Sequence, residues 1–173
     1  MSEPDPNHLK ILDDHARNRG WIVGCYAQIE FILGHFVVEC RRFPEYVHLT
    51  ERLPYSLDTR VQKVSAILLT PGPLSHWNEA FSPLIDALQH FEELRHFLSH
   101  GLSELFVTPS YESQIRIRRF VPTKGNEGQV LEITVKPHEL GQLADTLGHL
   151  AQQFMETVRA CYLEQGLDAF PFK

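Results

Sequence analysis

The chain has 173 residues, 43% of them hydrophobic, and its 22 acidic residues against 16 Lys and Arg give a net charge of -6. This length fits one globular domain, residues 1–173, whose core needs neither disulfides nor a structural metal. The acidic balance excludes a broad electrostatic surface for nucleic acid, so any contact with RNA has to be local. The three cysteines are widely spaced and form no CxxC pair, which fits a reducing cytoplasm and predicts no zinc site.

The N-terminal segment is polar and acidic, which is not typical of a secretory signal. The longest apolar run, residues 21–38, is interrupted by Gln28, Glu30 and His35, and a membrane-spanning helix rarely tolerates such residues. We therefore expect a soluble, cytoplasmic protein that does not contact a membrane.

Two helices are predicted in the first 40 residues. The first is a polar helix over residues 7–18 that ends near Gly20, because glycine is a common helix stop. The second is a long helix whose apolar residues follow alternating steps of four and three, and which ends before Pro44. These apolar residues are Ile22, Tyr26, Ile29, Leu33, Phe36 and Cys40.

The middle of the chain predicts a loop or a short turn over residues 44–57, a helix over residues 57–69 and a connection at TPGP, residues 70–73. Helical spacing then continues to Gly101. Because Ser82 is a good N-cap and Pro83 suits the first position of a helix, we expect a short helix up to Phe81 and a new one from Pro83.

Residues 114–121 and 129–135 alternate and are rich in β-branched side chains, and KGNEG at 124–128 is turn chemistry. This pattern predicts a β-hairpin. A final helix opens at Pro137. The expected fold is mainly α, a helical bundle with a small β-hairpin inserted before the C-terminal helix.

One charged residue breaks the apolar line of the helix predicted from Pro83. The spacing that joins Leu84, Leu88 and Phe91 reaches Arg95 before it returns to an apolar residue. A guanidinium is costly to bury alone, so Arg95 must meet a carboxylate, reach water or face a cleft that binds an anion. His96 follows directly, and His100 lies one turn beyond His96 on the same side of the helix.

This stretch, RHFLSHG at residues 95–101, resembles the R-x4-6-H signature of the HEPN superfamily. The sequence YAQIEFIL, residues 26–33, is similar to the first core helix of such proteins. The resemblance covers residues 15–102 and the final helix, with an extension at about 103–136 that carries the hairpin. It implies a HEPN-like antiparallel helical bundle. Many members have Asn or Asp directly after the arginine, whereas this chain has His96.

The resemblance implies a metal-independent endoribonuclease that uses no cofactor. The ribose 2′-OH of the RNA attacks its own phosphodiester, with His100 as general base or acid and Arg95 holding the phosphate oxygens. His96 orients the substrate or acts as the complementary acid. The resemblance also implies a homodimer with a shared cleft, and a toxin or defence effector that an inhibitory protein partner restrains.

Two other interpretations of RHFLSHG stay open. In one, the fold is a non-catalytic HEPN-like module that binds a nucleotide or a partner protein. In the other, Arg95 forms an ion pair with Glu30 in a purely structural bundle, and His100 only complements the dipole at the end of its helix.

Arg116 and Arg118, with Arg119 adjacent, form the densest basic cluster. They are candidates for binding substrate phosphate, but a solvated sheet face paired with Glu132 and its neighbours is the interpretation we favour. The remaining histidines show no paired-ligand spacing, so no metal site is predicted.

Overall fold

The computed structural model describes residues 5–110, 112–123 and 127–167. These residues form a mainly α fold with one small antiparallel sheet, which confirms the predicted fold class with its β insertion before the last helix. The helices are α1 (Pro6–Glu39), α2 (Val47–Thr50), α3 (Leu57–Leu69), α4 (Asn78–His90), α5 (Glu92–His100) and α6 (Pro137–Gln165). The strands are β1 (Leu102–Val107), β2 (Ser113–Pro122) and β3 (Gly128–Val135).

α1 is one continuous helix of 34 residues, so the predicted stop near Gly20 is wrong. A glycine inside a helix costs roughly 0.5–1 kcal/mol relative to alanine, and the helix continues because packing of its apolar stripe from Ile22 onward outweighs that cost. By length and composition, the stretch from Pro6 to Arg42 is apolar enough to cross a membrane, and half of its most apolar window is buried inside the protein.

The helix break predicted before Pro83 lies elsewhere. α4 runs through Pro83, and the break falls at Phe91, between α4 and α5. Pro83 is tolerated because the carbonyl group that loses its partner belongs to Glu79, in the exposed first turn of α4. The Ser82 hydroxyl bonds to the Asn78 side chain instead of capping a new helix.

The predicted hairpin is confirmed as β2 and β3, and a third strand, β1, pairs with β2 on its other side in the order β1-β2-β3. β1 begins at Leu102, directly after Gly101, where the helical spacing of the sequence ends. Of the predicted turn at 124–128, residues 124–126 lie outside the described residues.

The chain divides into two compact units. One comprises Cys25–His90 and His149–Lys173, and its core is aromatic. There the rings of Phe36 and Phe81 lie 5.3 Å apart, and a buried tyrosine, Tyr26, donates a hydrogen bond to the carbonyl oxygen of Leu88 at 3.2 Å.

The other unit comprises Met1–Gly24 and Phe91–Gly148 and contains RHFLSHG. Its core includes residues of α5, the sheet and the first part of α6: Phe97, Leu98, Ile115, Ile117, Leu140, Ala144 and Leu147. At Gly101, where α5 passes into β1, an added Cβ atom would lie 2.5 Å from Cγ2 of Ile117. The helix and the sheet therefore meet closely at this glycine.

His15, on α1 in the same unit, is only 7% exposed. Neither of its ring nitrogens has a hydrogen-bond partner among the described residues. Burial, together with the nearby charge of Arg19, lowers the pKa of His15 below its ordinary value of 6.5. The folded protein therefore holds this imidazole in its neutral form.

We expect His15→Leu to stabilise the protein and to reduce its loss of stability in acid. Removing a buried polar group that has no hydrogen-bond partner raises the free energy of unfolding by on the order of 1 kcal/mol at pH 7. Because the folded-state pKa of His15 is depressed, its contribution is fully present above pH 6.5 and is lost as the pH falls below that value. Urea unfolding at pH 7.5 and pH 5 measures this, with exposed His138→Leu as the control. An equal pH dependence in wild type and His15→Leu would contradict the expectation.

Candidate functional site

The site predicted from RHFLSHG lies on α5, a nine-residue helix. Glu92 and Glu93 occupy its first turn and His100 its last, so the charges at both ends suit the helix dipole. The amide of Gly101 closes the helix by donating to the Phe97 carbonyl oxygen at 2.7 Å. Phe97 and Leu98 anchor α5 in the core, while Arg95, His96 and His100 keep contact with solvent.

Arg95 and His96 form a hydrogen-bonded pair, with Nη2 of Arg95 3.1 Å from Nε2 of His96. A guanidinium can only donate, so Nε2 of His96 is the acceptor and the ring carries its proton on Nδ1. The pair therefore requires a neutral His96 beside a charged Arg95.

The electrostatic surroundings of His96 favour the same state. Burial, followed by the charges of Arg95 and Arg119, lowers the pKa of His96 below its ordinary value of 6.5. Oε1 of Glu92 lies 3.6 Å from Nε2 of His96 and 3.8 Å from Nη2 of Arg95. The negative charge of Glu92 raises the pKa of His96, but by less than burial and the two arginines lower it. At neutral pH, His96 is thus an uncharged acceptor next to a cation.

His100 lies one turn beyond His96 and is exposed. The two imidazole rings are stacked, with centroids 6.3 Å apart and planes inclined by 28°. The last two turns of α5 therefore place a guanidinium, a neutral imidazole and a solvent-accessible imidazole together. These groups can bind an anion and transfer protons near neutral pH.

Arg119 of β2 is a residue of this site that we did not single out from the sequence. Its guanidinium carbon lies 5.2 Å from the ring centroid of Phe97, and its charge contributes to the lowered pKa of His96. Strand alternation was the signal that could have found it. Arg119 shares the face of Ile115 and Ile117, whereas its basic neighbours share the other.

Arg116 and Arg118 lie on that other, outer face of the sheet and are paired with carboxylates. Nε of Arg116 lies 3.1 Å from Oε1 of Glu132, and Arg118 forms an ion pair with Glu104 on β1. The guanidinium carbon of Arg116 also lies over Phe106, 4.5 Å from the ring centroid. Both arginines therefore have carboxylate partners, as expected for a solvated sheet face.

Glu30 belongs to the unit that does not contain α5. Its carboxylate lies 3.6 Å from Nη1 of Arg60, and the same nitrogen donates to the Glu30 carbonyl oxygen at 2.8 Å. Glu30 is therefore an ion-pair residue with Arg60 as its partner, and Arg95 has Glu92 beside it.

An open pocket of about 400 Å³ lies between α1 and the side of α5 that carries Leu98 and Ser99. Arg19 lines this pocket. Its guanidinium also donates hydrogen bonds to the Gly101 carbonyl oxygen at 3.1 Å and to the Ser103 hydroxyl at 3.3 Å, just beyond the end of α5. The pocket thus has one cationic side chain among mostly apolar ones. Two of its lining residues, Leu98 and Ser99, follow Arg95 closely in the sequence.

Within the described ranges, no group of three or more His, Cys, Asp or Glu side chains is arranged to hold a metal ion. The chain matches no known protein-family model, and neither a curated protein nor a solved structure shows significant similarity to it.

Proposed function

We propose that this protein is a metal-independent endoribonuclease of the HEPN type, which cleaves RNA to leave a 2′,3′-cyclic phosphate and a 5′-OH. The observation that carries the proposal is the grouping of Arg95, His96 and His100 on the last two turns of α5, with a hydrogen bond from Arg95 to a neutral His96. In an acidic protein, this group supplies the local positive charge that an RNA phosphate requires.

In this mechanism, a general base removes the proton of the ribose 2′-OH, whose oxygen forms a bond to phosphorus. The bond from phosphorus to the 5′ oxygen breaks, and a general acid protonates the leaving oxygen. Exposed His100 suits such proton transfer because imidazole can take and give a proton near neutral pH. The planar guanidinium of Arg95 suits the oxygens of the pentacoordinate transition state.

The lowered pKa of His96 argues against a role for this residue as the general acid. A general acid must be protonated before it acts, and a depressed pKa leaves little protonated His96 at neutral pH. A neutral ring that accepts a hydrogen bond from Arg95 fits better as the group that orients the guanidinium. We therefore assign His96 a positioning role and leave proton transfer to His100.

We propose that the protein acts as a homodimer. A homodimer with a shared cleft would bring a second Arg95 and His100 to the substrate, so that one histidine serves as base and the other as acid. We propose a cytoplasmic toxin or defence effector, held inactive by an inhibitory protein. The pocket lined by Arg19 and Ser99 is the place we assign to a nucleotide next to the cleaved bond.

Glu92 favours a second candidate function. Its carboxylate lies within 4 Å of both Arg95 and His96, where it competes with a phosphate for the same donors. A site balanced in this way suits a non-catalytic module that binds a nucleotide or a partner protein with modest affinity.

The test is incubation of the purified full chain with end-labelled RNA in EDTA, next to an all-2′-deoxy strand of the same sequence. We expect cleavage of the RNA and none of the DNA, because only RNA carries the attacking hydroxyl. Binding of the RNA without turnover would favour the non-catalytic module. Cleavage of the deoxy strand would contradict the proposed chemistry.

A further inference from the structure

Arg119 stands apart from the other two arginines of β2. Arg116 and Arg118 project from the outer face and meet carboxylates there. Arg119 projects from the opposite face, and its guanidinium lies over Phe97, the residue that directly follows His96 on α5. The sheet therefore brings one cation to α5, against the residue that follows His96.

Among the described residues, no carboxylate lies within ion-pair distance of Arg119, whereas Arg116 and Arg118 each have one. Its charge is near enough to His96 to act, together with burial and Arg95, on the pKa of that ring. The charges of two guanidinium groups thus act on one neutral imidazole, and the Glu92 carboxylate lies beside Arg95 and His96. Such an arrangement favours an incoming anion.

We infer that Arg119 is a second phosphate-binding residue of the proposed RNA site, so that β2 as well as α5 contacts the substrate. The inference rests on the proposed function, and the ligand is a phosphodiester of the RNA backbone. It also gives the sheet a role in binding, since β2 belongs to the extension and not to the helical part that resembles HEPN proteins.

The contact with Phe97 explains why Arg119 suits this task. A guanidinium placed over an aromatic face can still donate hydrogen bonds from its N–H groups. Since this contact restricts the side chain before the substrate arrives, less side-chain freedom is lost on binding. A lysine at this position would keep the charge but not the planar fork.

The experiment compares Arg119→Gln with Arg118→Gln, which removes the same charge from the same strand but from the outer face. The probe is a fluorescein-labelled 2′-O-methyl RNA oligonucleotide, which has no free 2′-OH and is not cleaved. We expect Arg119→Gln to raise its Kd about 10-fold and to reduce the salt dependence of binding by about one phosphate contact. For Arg118→Gln we expect a change of less than about 2-fold.

Arg119→Lys, expected between wild type and Arg119→Gln, tests the site if the glutamine variant does not fold, and thermal melting monitors all three variants. Equal weakening by Arg118→Gln and Arg119→Gln, or unchanged binding in Arg119→Gln or Arg119→Lys, would overturn the inference. Absence of binding by the wild type would overturn it as well.

Cleavage of unmodified RNA separates this inference from the proposed function. Binding that depends on Arg119, in a protein that cleaves no RNA, would refute the nuclease and keep the phosphate site. Cleavage that Arg119→Gln leaves unchanged in both KM and kcat would keep the nuclease and refute the role of Arg119.

Discussion

Replacing His100 by Ala is expected to lower RNA cleavage in EDTA by roughly 10²- to 10⁴-fold, the usual contribution of a general acid or base. Replacing Arg95 by Ala is expected to cost about 10²- to 10³-fold, as for loss of a group that stabilises transition-state charge. Both residues reach solvent near the end of α5, and the helix is anchored by Phe97 and Leu98. The loss should therefore appear in kcat, with little change in folding.

His138→Ala, an exposed histidine in the first turn of α6, is the matched control and should cleave RNA at the wild-type rate. Circular dichroism spectra and melting curves of all variants separate lost chemistry from lost structure. Arg95→Lys adds a further comparison, because it keeps the charge but not the planar fork, and we expect activity well below wild type. Wild-type rates in both His100→Ala and Arg95→Ala would refute the assignment of the catalytic residues.

Replacing Gly101 by Ala is expected to destabilise the protein by about 2–3 kcal/mol, the upper part of the usual range for overpacking. An added Cβ atom would lie 2.5 Å from Cγ2 of Ile117, 3.2 Å from the Arg118 carbonyl oxygen and closer still to the Phe97 carbonyl oxygen. Two of these three atoms belong to the backbone and have little room to retreat. For a protein of this size, such a loss lowers Tm by roughly 5–10 °C.

The matched control for Gly101→Ala is Gly20→Ala, in the middle of α1. No atom lies within 4 Å of a Cβ added at Gly20, and removing a glycine from a helix interior stabilises by roughly 0.5–1 kcal/mol. Thermal unfolding should therefore move in opposite directions in the two variants. A Tm of Gly101→Ala at or above that of the wild type would mean that α5 and the sheet do not meet as described.

The sequence predicted those parts of the fold in which one periodic pattern runs without competition. The apolar steps from Ile22 to Phe36 in α1, continued by Cys40 just after its end, identify residues that are buried. The alternation in residues 114–121 and 129–135 identifies β2 and β3. Arg95 broke such a pattern, which is why it could be singled out before its position on α5 was seen. Here local residue preferences and tertiary packing agree.

The predictions that proved wrong concern residues where packing outweighs local preference. Gly20 and the Ser82–Pro83 pair are typical helix boundaries, yet α1 and α4 continue through them because their apolar faces are buried beyond those points. β1 escaped prediction because LSELFV is short and forms a strand by pairing with residues of β2 that lie 6 to 16 positions further along the chain. Arg119 was grouped with its neighbours, although strand alternation turns it to the opposite face.

The most direct test of the proposed chemistry is the identity of the RNA ends that the wild-type protein produces in EDTA. A 2′,3′-cyclic phosphate on one fragment and a 5′-OH on the other are expected, since the attacking nucleophile is the neighbouring ribose hydroxyl and His100 and Arg95 supply proton transfer and charge stabilisation. Fragments with a 3′-OH and a 5′-phosphate, or cleavage that appears only when a divalent metal is added, would contradict it.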